Sequence, residues 1–155
     1  MQTTVQKPAR RTGKPKMGMV TVTIKVANYV DWANAQNAKG KRKPKVRTVI
    51  IPDALVDTGT FNLCLPKRYI QELGLQAYPG TIMAQTANGV VERRVYGGAQ
   101  LTIHGRTDEF RVTELPDDMP ALIGCIPLEA LDFIVDPTEQ KLVGKHGDKR
   151  ITLMY

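Results

Sequence analysis

Ala54-Leu55-Val56-Asp57-Thr58-Gly59-Thr60-Phe61-Asn62-Leu63-Cys64-Leu65-Pro66 sets one carboxylate in a Thr-Gly turn between two apolar runs. An aspartate needed only for solubility would require neither Val56 before it nor a glycine two residues later. A carboxylate held for chemistry benefits from a rigid strand behind it and a compact turn in front. Asp and Gly also favour ordinary turns, so the motif has to be judged with the rest of the chain.

Downstream, Pro66 to Gly74 predicts a short helix, with Pro66 at its first position and Gly74 after its end. Two hairpins are expected next, Thr81 to Tyr96 around Asn88-Gly89 and Ala99 to Val112 around Gly105-Arg106. Ala121-Leu122-Ile123-Gly124 is a second apolar run, and it leads into a short amphipathic helix over Pro127 to Phe133. Asp136-Pro137 reads as a turn, Lys141 to Val143 as a short strand and Arg150 to Tyr155 as a final apolar strand.

Upstream, Val20, Val22, Ile24 and Val26 alternate with Thr21, Thr23 and Lys25, the pattern of a half-buried strand. Strand character returns at Val46 to Ile51 and at Ala54 to Val56, with Pro52-Asp53 marking a bend or an edge. Between these strands, residues 29–45 are read as a mobile basic loop inserted in a long hairpin, and residues 1–16 as a disordered basic arm. Residues 17–155 then form one domain.

Bulk composition agrees with a single domain. A chain of 155 residues buries roughly 70% of its unfolded surface. Hydrophobic content of 42% and charged content of 24% are ordinary for soluble proteins. No apolar run approaches the roughly 20 residues that span a bilayer. The first sixteen residues carry five cations and no apolar stretch, so no secretory or twin-arginine signal is read at Arg10-Arg11 and a cytoplasmic location is expected. Cys64 and Cys125 are expected to be buried thiols, and His104 and His146 surface residues. Neither a metal-ligand set nor a cofactor motif is read from their spacing.

Together, Leu55-Val56-Asp57-Thr58-Gly59, the hairpin tip Thr86-Ala87-Asn88-Gly89, and Leu122-Ile123-Gly124 followed by a helix resemble, in that order, the retropepsins, the retroviral-like aspartic proteases. The resemblance spans residues 19–143. It implies a mainly β fold, a single-lobe closed β-barrel with one or two short helices. It also implies a homodimer acting on a peptide or protein substrate, with no cofactor, because each lobe supplies one Asp-Thr-Gly. Two carboxylates about 3 Å apart then share one proton.

By the same resemblance Asp57 is the catalytic acid and base, Thr58 braces the turn against the partner subunit, and Gly59 lets the backbone approach the carboxylate. Thr86, Ala87, Asn88 and Gly89 form the flap over a bound peptide strand. Leu122, Ile123 and Gly124 pack behind the turn. Thr60 stands where the family commonly has Ala or Ser; its hydroxyl can bond the carboxylate and predicts a more acidic working range than that of Thr60→Ala. A catalytically inactive dimeric peptide-binding module would use the same cleft.

Charge suggests a different partner. Residues 1–51 hold 12 Lys or Arg against Asp31 alone, while residues 52–155 hold 10 against 14 acids. The eleven cations in residues 7–16 and 39–47 form clusters suited to phosphate neutralisation, so nucleic acid is an alternative partner. Only Tyr29 and Trp32 lie near the second cluster to stack on bases.

Overall fold

The computed structural model describes residues 19–40 and 42–152; the basic arm of residues 1–16 lies outside them. The first strand, β1 (Val20–Asn28), buries Val20, Val22, Ile24 and Val26 and exposes Thr21, Thr23 and Lys25, as the alternation requires. It pairs antiparallel with β2 (Thr48–Val56). Pro52 and Asp53 together face Thr23 in a bulge, which takes up the residue that has no N–H to give the ladder.

Residues 29–45 are not a loop throughout. Tyr29–Asn37 form helix α1, whose N-cap Asn28 accepts from Asp31 N at 3.0 Å. Asn28 also donates from Nδ2 to Leu73 O at 2.9 Å, and Asp31 receives Arg47 through Nε at 2.7 Å and Nη2 at 2.9 Å. Long-range bonds therefore anchor a helix whose own sequence is only weakly amphipathic. The rest of the described residues of this segment, with Lys39, Arg42, Lys43 and Lys45 exposed, are irregular.

After β2 come β3 (Leu63–Pro66), α2 (Lys67–Leu73) and β4 (Gln76–Ala77). Pro66 is the N-cap of α2, and Asp117 supplies the missing cap by accepting Arg68 N at 2.8 Å. Gly74 closes the helix in the left-handed region, at φ 61°. The expected hairpins are β5 (Ile82–Thr86) with β6 (Gly89–Arg93), and β7 (Val95–Ile103) with β8 (Arg106–Leu115). The second turns on His104-Gly105, one residue earlier than expected; both have positive φ, 47° and 79°, as a type I′ turn needs.

The chain then forms β9 (Leu122–Ile123), α3 (Cys125–Ala130), β10 (Phe133–Asp136) and β11 (Lys141–Gly144). Helix α3 starts two residues before the expected Pro127 and ends before Asp132, whose φ of 60° breaks it; Phe133 opens β10 instead. Residues 150–152 are not a strand. Arg150 donates to Ala130 O at 2.9 Å and Thr107 O at 2.9 Å, which straps this segment across the fold; residues 153–155 lie outside the described residues.

Six strands close a barrel in the order β1-β2-β9-β3-β8-β7, with β7 returning to β1 and β4 appended to β7. Ile24, Ile51, Leu63, Leu101, Ile103, Ile123 and Leu131 fill it, fully buried. Each such side chain contributes about 1.5–3 kcal/mol. Among the described residues no helix is long and apolar enough to cross a membrane.

Candidate active site

Asp57 follows the last residue of β2, where the parallel pairing with β9 holds the chain that leads into it. Leu55 N bonds Ala121 O at 2.8 Å and Asp57 N bonds Ile123 O at 3.0 Å. Thr58 and Gly59 make the turn, and Thr60 N closes it onto Asp57 O at 3.1 Å. The half-buried carboxylate is engaged at both oxygens: Gly59 N donates to Oδ1 at 3.0 Å and the Thr60 hydroxyl to Oδ2 at 2.9 Å. A Cβ on Gly59 would stand 3.3 Å from Oδ1, so hydrogen is the substituent that lets this backbone approach comfortably.

Gly124 fits the turn more tightly still. Its N–H donates to Asn62 O at 3.0 Å, Cys125 N donates to Thr60 O at 2.8 Å, and Ile126 N donates to Phe61 O at 2.9 Å. A Cβ there would meet the Phe61 and Asn62 backbone at 2.5 Å. Ile123 is fully buried and Leu122 half-buried in β9, which lies between β2 and β3. The structure thus brings Asp57, Thr60, Leu122, Ile123 and Gly124 together.

Thr86 to Gly89 lie apart, at the tip of a two-stranded sheet that pairs with no other strand. Ala87 and Asn88 are the turn residues, and Gly89, at φ 110°, begins the return strand opposite Thr86. The Asn-Gly pair therefore does not itself form the turn. The Thr86 hydroxyl fixes the tip by donating to Gly89 O at 2.8 Å and accepting Asn88 N at 3.2 Å.

A family described as aspartyl protease matches residues 46–125, just over half of the chain, and the matched span contains the whole of this turn and its β9 support. The chain belongs to the aspartyl protease family. Among solved structures, this aspartyl protease family member is similar to the EIAV protease complexed with the inhibitor HBY-793. The TM-score is 0.50 at 16% identity, over 77% of this chain and 93% of that one, and the shared feature is the fold. No curated protein matches the sequence.

Several neighbours of Asp57 were not evident in the sequence. Cys64 is buried beneath the site, and burial, with the nearby Asp57 charge adding to it, pushes its thiol up to about 11. Cys125 is half-buried rather than buried, and lines an apolar groove of about 880 Å³ with Thr58, Leu128, Phe133, Val135 and Ile151. Phe61, one residue past Thr60, is 73% exposed. His104 is exposed as expected, whereas the exposed His146 holds a buried partner, Asp132, through Nδ1 at 2.7 Å. Among the described residues no cluster of His, Cys, Asp or Glu is placed to hold a metal ion.

Proposed function

We propose that two copies of this chain pair with their Asp57 turns face to face and hydrolyse peptide bonds. The observation that carries the proposal is the Asp57 carboxylate itself, oriented by donors on both oxygens at 3.0 and 2.9 Å yet still half open to solvent. One chain has one Asp-Thr-Gly turn, and the apolar groove leading away from the exposed Thr58 supports a partner subunit there.

In the pair, two carboxylates at close range share one proton, since both cannot ionise together. The ionised one takes a proton from water while the protonated one donates to the peptide carbonyl. The water oxygen attacks the carbonyl carbon, and collapse of the tetrahedral species passes a proton to the departing amine. Thr58 would brace the turn across the interface. The Thr86–Gly89 tip would close over a peptide bound as an added strand, with main-chain hydrogen bonds supplying affinity.

The test is incubation of the protein and Asp57→Asn with a mixed peptide library from acidic to neutral pH, with sedimentation measuring dimerisation in parallel. The proposal expects cleavage by the native dimer and none by the variant. Cleavage surviving in Asp57→Asn removes that carboxylate from the mechanism. Peptide binding without cleavage by either protein makes the chain a binding module.

A further inference from the structure

We infer that Arg111 and Tyr78 form a pocket for an acidic side chain of the bound peptide, at the flank of the cleft between the active turn and the β5–β6 hairpin. The inference rests on the proposed peptide-cleaving role, and it specifies which substrates that cleft prefers. The pocket has a volume of about 230 Å³. Asn62 walls it in the bend between the Asp57 turn and β3, Thr81 and Ile82 wall it where the hairpin begins, and Val95 lies on the barrel side.

Arg111 carries the only formal charge in that lining, and among the described residues it has no ion-pair partner. Its guanidinium is held in place by an aromatic ring. Cζ lies 4.7 Å from the centroid of the Tyr78 ring, a cation–π distance. The ring in turn rests on Gly97, where a Cβ would come within 2.9 Å of it. Tyr78 N is fixed to Val95 O at 2.9 Å. A glycine on β7 thus makes room for a ring, and the ring orients a cation on β8, the neighbouring strand.

Beside the guanidinium, Asn62 offers a side-chain donor, whereas the Thr81 hydroxyl already donates to Glu92; Ile82 and Val95 suit the methylenes of a long side chain. Glutamate fits this combination better than aspartate: its extra methylene uses the apolar wall, and its carboxylate suits the planar fork of arginine.

The experiment scans Glu, Gln and Lys through each position of one extended peptide. It reads kcat/KM with the native protein and Kd with Asp57→Asn. One position is expected to prefer Glu over Lys by about two- to fivefold, the range for a solvent-exposed charge pair. Arg111→Met should erase the preference and Arg111→Lys should restore part of it, each read as the Glu-to-Lys ratio within one variant. Flat Glu scans, or a Glu preference that survives Arg111→Met, overturn the pocket assignment and leave the protease reading standing. A Glu preference in Kd without any cleavage overturns the protease reading and keeps the pocket.

Discussion

Gly124→Ala is the sharpest test of how the candidate site is built. At φ −82° the backbone of Gly124 suits any residue, so a conformational penalty does not enter. The cost is one of space: the new methyl would sit 2.5 Å from Phe61 C, Phe61 O and Asn62 O, about 0.9 Å inside ordinary contact. None of these atoms is the end of a flexible side chain. They belong to the segment that receives Gly124 N, Cys125 N and Ile126 N at 2.8–3.0 Å, so relieving the clash lengthens those bonds. Overpacking costs about 1–3 kcal/mol, and one weakened hydrogen bond adds about 1 kcal/mol. The sum, about 2–4 kcal/mol, corresponds to a fall in Tm of about 4–15 °C for a chain of this size. Urea denaturation at fixed protomer concentration should lower the midpoint without changing the slope. Gly59→Ala is the matched control: its methyl is only a few tenths of an ångström too close, and to the Asp57 carboxylate rather than to backbone. It should cost under about 1 kcal/mol of stability while abolishing activity. A Gly124→Ala protein within about 0.5 kcal/mol of native stability would refute the claim that β9 and the active turn are in obligatory backbone contact.

Thr60→Ala removes the 2.9 Å donor on Asp57 Oδ2 and should move the acid limb of the activity profile to higher pH; superimposable profiles would contradict that role for the hydroxyl. Cys64, with its thiol pushed up to about 11, should resist alkylation at neutral pH until the protein unfolds, while Cys125 reacts first; mass mapping that finds Cys64 labelled in the native state would count against its burial. Asp132 is held below the usual carboxylate range, first by the Ile151 N–H at 3.0 Å and then by His146 at 2.7 Å. Because its folded value is depressed, its stabilising contribution is full above the ordinary carboxylate range and disappears as pH falls through the lowered value. Hydrogen-exchange protection of the Ile151 amide should follow that course, and protection independent of Asp132→Asn would show that the tail is anchored by Arg150 alone.

What could be read from the sequence was what neighbouring residues decide. Asp57-Thr58-Gly59 lies in a turn, Pro66 and Gly74 bracket α2, and the alternation around Ile24 is a strand. Long-range contacts explain the misses. Helix α1 has a local signal in Asn28 three residues before Asp31, but its basic continuation reads as loop, and its anchors are Leu73 and Arg47. Arg150 opens what resembles a strand, yet its donors find Ala130 and Thr107 instead of a sheet edge. In the site, Gly124 was recognisable as a support for the turn, whereas Tyr78, Gly97 and Arg111 meet only once β7 pairs with β8.

The position of β9 between β2 and β3 also bears on when this site can exist. The two strands flanking Asp57 are never sheet neighbours, because a segment from late in the chain is threaded between them. During synthesis the Asp-Thr-Gly motif is complete long before its seat is. Until the ribosome has released the chain beyond Gly124, Asp57 N has no Ile123 carbonyl to bond and the turn's exit has no glycine to rest on. A nascent or truncated fragment ending before β9 would therefore carry the whole motif without the site, and any hydrolytic power would be withheld until the barrel is nearly finished.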